Sequence, residues 1–392
     1  MATGTPFHER TAPLNLALAW KPWSGYFAAT HYQELNQVEY AAIRNGVALI
    51  DVSPLAKYRL AGRDALALVD RVITRDAHRC QVGQAIYTPW CDEEGKVLQE
   101  GTLFRLQEDV FQWNATEPML LWLERAASGL EVAIDDTSRD TAVLAVQGPR
   151  SRDLLAEMAG DAVRKLGFFR LAETRIAGVP VLVSRTGYTG DLGYEVWVST
   201  EGALRVWDAI AKAGVGATPC GLLAMDIARI EAGFVLLGVD YTSAERALIP
   251  AHRSSPFEIG LGWAVPRNKP GWYIGRDALE RERYAGSDWS LTGLELDWEP
   301  LEQLFANAGL MPELPQIPWR DPRPVYCRGR QVGRATSGCW STRLKKLIAL
   351  ATLEAGETFG GLEMEVTVDY ARERAPARAV ALPFFRPERM RA

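Results

Sequence analysis

Ser184-Arg185-Thr186-Gly187-Tyr188-Thr189-Gly190-Asp191-Leu192-Gly193-Tyr194-Glu195-Val196-Trp197 is the stretch on which the reading of this 392-residue chain turns. Three glycines at a spacing of three permit backbone torsions that other residues hold only at a cost. They predict a tight connection inside a hairpin over 179–199, with Tyr188 at its tip and Glu195 entering the return strand. The two-residue period of a strand then places Glu195 and Trp197 on one face. A carboxylate beside an aromatic suits a heterocycle that offers a ring N–H and an exocyclic amino group, because one carboxylate can accept both hydrogen bonds. Judged locally, a simpler reading competes: a surface hairpin whose Glu195 pairs with Arg185, since exposed ion pairs are common and weak.

Outward from this stretch, apolar periodicity predicts helices over 38–48, from Gly62 and Asp64 through Leu66, Leu68, Val69 and Val72, over 116–128, over 150–158, over 201–214 and over 220–232. Alternation predicts strands over 56–60, 85–89, 101–106, 110–114, 131–135 and 141–147, with a hairpin turn at Asp92-Glu93-Glu94-Gly95. This irregular mixture points to α+β layers rather than a βαβ sheet. No G-x-G-x-x-G follows a strand and no Walker sequence is present, so nucleotide binding has no support. Pro300, Pro312, Pro315, Pro318, Pro322 and Pro324 crowd 299–324, which suits a semi-extended linker or surface excursion. Short Gly-punctuated strands over 325–326, 331–335, 347–353, 364–368 and 377–381 then suggest a small β-barrel or sandwich.

Composition narrows the function classes. With 49 acidic against 44 basic residues the formal net charge is -5, and no Lys/Arg-rich run offers a footprint for nucleic acid. The five cysteines form no C-x-x-C pair, and the four histidines lie far apart, so no disulfide framework, zinc ribbon or other metal site is expected. No segment approaches the roughly 18 apolar residues of a membrane span and no leader pattern opens the chain, so a cytoplasmic protein is expected. The 13 tryptophans fill cores and domain seams or line a flat aromatic pocket.

Two further segments carry candidate chemistry. Glu100 follows the Asp92–Gly95 turn; facing a pocket it would serve proton transfer or stabilise a developing cation, and otherwise it is a solvated Glu at a strand end. Asp226 and Arg229, three apart on a helix that ends with Glu231, can pair along one face.

Together these segments resemble the aminomethyltransferase family typified by the T-protein of the glycine cleavage system. The resemblance runs over nearly the whole chain: Thr5-Pro6-Phe7, Gly46 to Ser53, Gly83 to Tyr87, Leu144 to Pro149, Ser184 to Glu195 and Arg229 to Gly233. It continues through Ser255-Pro256-Phe257-Glu258, Gly260 to Trp263, Ile274 to Leu279, Val332-Gly333 and Thr336-Ser337-Gly338. It implies a three-domain cloverleaf around a central folate funnel. Residues 1–55 with 141–285 form a discontinuous folate-binding α+β domain, 56–140 a second α+β domain, and 286–392 a C-terminal β-barrel with a Pro-rich insertion at 299–320.

By the same resemblance the cofactor is tetrahydrofolate. Glu195 matches the residue that holds the pteridine ring; Tyr87, Asn114, Arg185 and Tyr188 match positions at or near the folate; Glu100 matches the catalytic position, where the family usually has Asp. The chain is then a tetrahydrofolate-dependent one-carbon transferase. Its donor is either an aminomethyl group on a lipoyl carrier protein or a free methylated amine, sulfonium compound or aryl ether, and a separate flavoprotein oxidase is a conceivable partner. Pro54 stands where the family has His, Met225 where it has Arg, and extra residues follow Tyr241 up to His252; these departures tilt the reading away from glycine cleavage and toward a demethylase. A non-catalytic folate-binding accessory role is opposed by Trp272, which occupies the place of that group's signature cysteine.

Overall fold

The computed structural model describes residues 1–214, 216–356 and 360–391. Four β-systems occur among them, the smallest a three-stranded sheet of Thr3–Gly4, Tyr26–His31 and Ala19–Trp23 and the other three as follows. A six-stranded sheet runs in the order Leu171–Ile176, Val179–Ser184, Gly193–Ser199, Thr141–Gln147, Ala48–Asp51 and Thr218–Pro219. A five-stranded antiparallel sheet runs Gln84–Cys91, Val97–Gln107, Val110–Ala115, Ala56–Ala61 and Ala133–Asp136. The third is a closed barrel of Trp289–Leu296, Lys346–Glu354, Arg330–Ser341, Arg323–Cys327, Leu362–Val368 and Ala371–Val380. The α+β class and the C-terminal β-barrel expected from the sequence are both found.

Each sheet buries a different face because its side chains alternate. In the six-stranded sheet, Tyr194, Val196 and Val198 join Leu144, Val146, Val181 and Val183 under helices Ser151–Ala159 and Ala203–Ala211. Leu154, Leu155, Val206, Trp207 and Ile210 close that core; burying an aliphatic or aromatic side chain of this size stabilises by roughly 1.5–3 kcal/mol. The five-stranded sheet turns Tyr58, Leu60, Ile86, Leu103, Phe111 and Trp113 into its own core against helix Ala65–Val72. The opposite faces of the two sheets meet at a third cluster, where Phe104 sits edge-on to Trp197 at 5.1 Å.

Helix Leu222–Glu231 is the hub, lying against helix Gln37–Asn45, strand Tyr26–His31 and barrel strand Arg330–Ser341. It is fixed by a buried ionic knot. Arg44 donates to Glu231 at 2.6 and 3.0 Å and to Asp191 at 3.2 Å, while Tyr40 and Ser341 donate to the other oxygen of Glu231 at 2.6 and 2.5 Å.

Several boundaries differ from the sequence expectations. Helix Trp298–Asn307 forms inside the Pro-rich stretch, because Pro300 falls in its first turn, where a missing N–H costs nothing. The helix expected over 116–128 shrinks to Leu120–Ala126, held back by Pro118. Strands Leu171–Ile176 and Trp289–Leu296 escaped prediction; the first has mostly half-exposed residues and little apolar alternation.

Candidate functional site

The glycine stretch is shaped by close approaches. Gln147 threads between the two arms of the hairpin, donating to the carbonyls of Thr186 and Tyr194 at 3.3 and 3.0 Å and accepting from Thr189 Oγ1 at 2.8 Å. A Cβ on either Gly187 or Gly193 would lie 2.2 Å from its Oε1. Gly190 has φ +66°, and a Cβ there would meet that of Ala232 at 2.3 Å. Asp191 is then clamped by Arg44 and Arg389.

Glu195 leaves this loop on the face of its strand away from the Val196 core. Thr186 Oγ1 and Ser184 Oγ donate to its Oε2 at 2.5 and 3.4 Å, and Trp197 Nε1 donates to Ser184 Oγ at 3.0 Å. The one-face placement of Glu195 and Trp197 is as the strand period requires. Burial raises the Glu195 pKa, and the two hydroxyls pull it back. Both hydroxyl bonds fall on Oε2, and no donor to Oε1 is found among the described residues. Arg185 donates to the carbonyls of Leu166 and Met390 at 3.1 and 3.5 Å.

Across the central seam, register sets a polar row on the five-stranded sheet. Tyr87 is paired with Thr102, Thr102 with Asn114 and Asn114 with Lys57, and Glu100 lies two residues before Thr102 on the same face. Asn114 donates to Thr102 Oγ1 at 3.1 Å and accepts from Gln112 at 2.9 Å. Phe104, on this face, touches Trp197, on the Glu195 face, so the two carboxylate-bearing faces oppose each other. Trp263 lies nearly parallel to Tyr87, with ring centroids 6.2 Å apart, and is itself more than half exposed.

Glu100 is the unusual charge. It is 5 % exposed, and burial pushes its pKa up to about 7; a hydrogen bond from Tyr241 lowers it and Asp240 raises it. Tyr241 Oη donates to Glu100 Oε2 at 2.9 Å. Tyr87, Tyr188 and Tyr241 surround this carboxyl electrostatically, and all three phenols are driven well above their ordinary pKa by burial. Tyr188 is held by the carbonyl of Val235 and lies against Phe234.

Asp240, next to Tyr241, ties this cluster to both neighbours. Arg229 Nη1 donates to it at 2.5 Å, and Thr336 Oγ1 and Ser337 Oγ each donate at 2.6 Å. Adjacent strand residues ordinarily face opposite ways; a bulge between Ala335 and Ser337 lets both hydroxyls reach one carboxylate. The expected Asp226–Arg229 pair forms at 2.7 Å, but buried rather than along a solvated face, and Arg320 from the Pro-rich segment meets Asp226 from the other side at 2.8 Å.

The structure thus gathers Tyr87, Glu100 and Tyr188 into one cluster, sets Asn114 in the row beside it and Glu195 on the opposing face, and engages Arg185 with main-chain carbonyls. Sequence reading missed Lys57. It is fully buried, donates to the carbonyls of Ser53 and Leu55 at 2.7 Å each, and burial lowers its pKa to about 7. Alternation placed it on a polar face, and no local signal marks that face as covered. A separate cleft of about 800 Å³, bounded by Leu106, Gln112, Glu173, Leu182 and Trp197, contains none of these titratable groups. No cluster of three or more His, Cys, Asp or Glu suited to a metal occurs among the described residues, and no helix is long and apolar enough to cross a membrane.

The chain is similar to known proteins over nearly its whole length. The family model described as the GCVT N-terminal domain matches residues 9–269, and that of the glycine cleavage T-protein C-terminal barrel domain matches residues 308–386. An aminomethyltransferase of Symbiobacterium thermophilum is 34% identical over 395 residues, covering 97% of each chain. A trimethylamine-oxide aldolase of Ruegeria pomeroyi is 33% identical over 407 residues; the match takes in all of this chain, which spans only 48% of that longer relative. The solved glycine cleavage system aminomethyltransferase T from Bartonella henselae shares the fold, with a TM-score of 0.83 at 22% identity and 98% of both chains covered.

Proposed function

Because the chain belongs to the glycine cleavage T-protein (aminomethyltransferase) family, we propose that it is a tetrahydrofolate-dependent one-carbon transferase with Glu195 as its pteridine grip and Glu100 as its acid–base residue. The observation that carries this reading is the pair of carboxylates on opposing sheet faces, Glu100 buried and Glu195 half-buried, with Oε2 of Glu195 engaged by Thr186 and Ser184 and Oε2 of Glu100 by Tyr241. Two carboxyls in different environments can take different roles.

The residues fit the cofactor. Glu195 keeps Oε1 for donors on a heterocycle, Trp197 fixes Ser184 beside it, and Tyr87 and Trp263 offer flat faces. Asn114 and Arg185 are assigned to the folate's surroundings by their positions in the family. When bound, tetrahydrofolate supplies the ring nitrogen that accepts the one-carbon unit. The protein's part is to exclude water, align the donor and handle one proton. A carboxyl with a pKa of about 7 can donate that proton to a leaving group and take it back at neutral pH.

For the donor, a free methylated amine, sulfonium compound or aryl ether is favoured over an aminomethylated lipoyl carrier protein. Met225 leaves the family's ligand-facing cation unfilled. The extra segment after Tyr241 is also stitched to the sheet that carries Glu100: Ala244 N donates to Val97 O and Val97 N to Ser254 O, at 2.9 and 2.8 Å. We assign 1–55 with 141–285, 56–140 and 286–392 as the three units of the cloverleaf, and a soluble, cytoplasmic setting.

Titration calorimetry with tetrahydrofolate tests the core of this reading. Glu195→Ala is expected to weaken binding about 10- to 100-fold, the loss of charge-assisted hydrogen bonds worth roughly 1.5–3 kcal/mol. Unchanged affinity would remove Glu195 from the site. Turnover against methylated amines, sulfonium compounds, aryl ethers and aminomethylated lipoyl protein then selects the donor.

A further inference from the structure

The geometry points to Tyr241 as a positioning residue that decides which oxygen of Glu100 carries the transferable proton. A phenol has one hydrogen to donate, and that of Tyr241 is given to Glu100 Oε2 at 2.9 Å. An oxygen that accepts in this way is the carbonyl-like oxygen of the neutral acid, so the acidic hydrogen sits on Oε1. Besides Tyr241, only the main-chain N–H of Glu100 itself bonds this carboxyl among the described residues, so Oε1 is the oxygen left to meet a leaving group. The longer side chain matters here. Glu in place of the family's usual Asp adds one methylene, and Tyr241 stands at the end of that added reach.

Tyr241 is itself held from three sides. Its carbonyl accepts from Gly238 N at 2.8 Å, and its ring is buried among Val235, Leu237, Ile259 and Leu261. Its neighbour Asp240 is clamped by Arg229 from the hub helix and by Thr336 and Ser337 from the barrel bulge. Titratable groups facing the Glu100 carboxyl are Tyr241 and Asp240 from this turn, Tyr87 from strand Gln84–Cys91 and Tyr188 from the glycine loop, with Arg229 behind Asp240 and Tyr188. Burial keeps the Tyr241 phenol protonated, so it orients Glu100 without giving up its own proton. The proton balance is simple: Glu100 Oε1–H passes its hydrogen to the leaving group, and Tyr241 keeps its bond to the carboxylate left behind.

This assignment rests on the reading of Glu100 as the acid, and the experiment separates the two. Tyr241→Phe, in the full chain, removes one oxygen from a packed ring. It is expected to bind tetrahydrofolate within about threefold of the wild type and to turn over about 10- to 100-fold more slowly, the penalty of a misplaced reacting group. The carboxyl infrared band of Glu100, identified by its loss in Glu100→Gln, is expected to titrate about one pH unit higher in Tyr241→Phe, because a hydrogen bond that favours the carboxylate is gone. Glu100→Asp, which cannot reach Tyr241, is expected to lose as much turnover as Tyr241→Phe, and the double variant little more than either. An unmoved band and pH profile in Tyr241→Phe, with folate binding intact, overturn the positioning role. A wild-type protein that fails to bind tetrahydrofolate overturns the reading beneath it, while the infrared titration still reports on the Tyr241–Glu100 bond.

Discussion

Two buried charge clusters meet the same glycine loop, one through Asp191 and the other through Tyr188, and behave oppositely. Around Arg44, two carboxylates share cations and hydroxyls: Glu231 takes Arg44, Tyr40 and Ser341, and Asp191 takes Arg44 and Arg389. Around Glu100 the same burial comes with one phenol, two further tyrosines and another carboxylate, and no cation sets its pKa. Desolvation works against ionisation in both places, and only the first compensates it. The difference teaches what separates a structural knot from a working group. A saturated network locks three elements, whereas the under-compensated Glu100 carboxyl keeps its proton near neutral pH.

The largest expected effect breaks the knot. Arg44→Met leaves Glu231 and Asp191 buried without their shared cation and is expected to lower stability by about 3–5 kcal/mol, measured by urea unfolding. A cost below about 1 kcal/mol would mean that Arg389, Tyr40 and Ser341 suffice alone. Next comes the opposite sign at the site. Folded Glu100 holds its proton up to about pH 7, while the unfolded chain releases it near 4.5, so in between the folded state binds more protons. Stability from this group therefore falls as pH rises through that window. Glu100→Gln removes the slope and is expected to gain on the wild type by roughly 3 kcal/mol between pH 4.5 and 7, while losing turnover by about 10²-fold or more. Parallel stability curves for the two proteins would show that Glu100 is not held neutral. The smallest effect lies on the surface, where Lys165 meets Asp161 at 2.7 Å with both side chains exposed. Lys165→Ala is expected to change stability by no more than about 0.5 kcal/mol, and a larger loss would contradict the contrast between buried and solvated pairs.

Much of this was legible in the chain itself. Apolar periods gave helices Gln37–Asn45, Ala65–Val72 and Leu222–Glu231 to within two or three residues, and the alternating segments past Val325 gave the barrel strands. Where local signals ran short, boundaries slipped: strand Leu171–Ile176 has no clean alternation, and the prolines after Trp298 masked a helix that needed only its first turn to tolerate one. Glu100, Glu195, Tyr87 and Tyr188 could be named as candidates because the order of motifs resembles a family whose positions they match; read locally, Glu100 and Glu195 each kept a surface alternative. Lys57 and Arg320 could not, because nothing near them says what covers a polar face or what a Pro-rich segment folds back against.

Backbone pattern and the spacing of Gly187, Gly190 and Gly193 determined, from sequence alone, a hairpin with a carboxylate on its return strand, and the chain-wide order of motifs determined the family. What only the tertiary structure decided is the company each charge keeps. Glu100 and Tyr241 are 141 residues apart, Arg44 and Glu231 187 apart, and each pair meets only when sheets, hub helix and barrel have packed. Desolvation is a property of that packing rather than of the residue, so a glutamate is held in an ionic knot in one place and keeps its proton near neutral pH in the other.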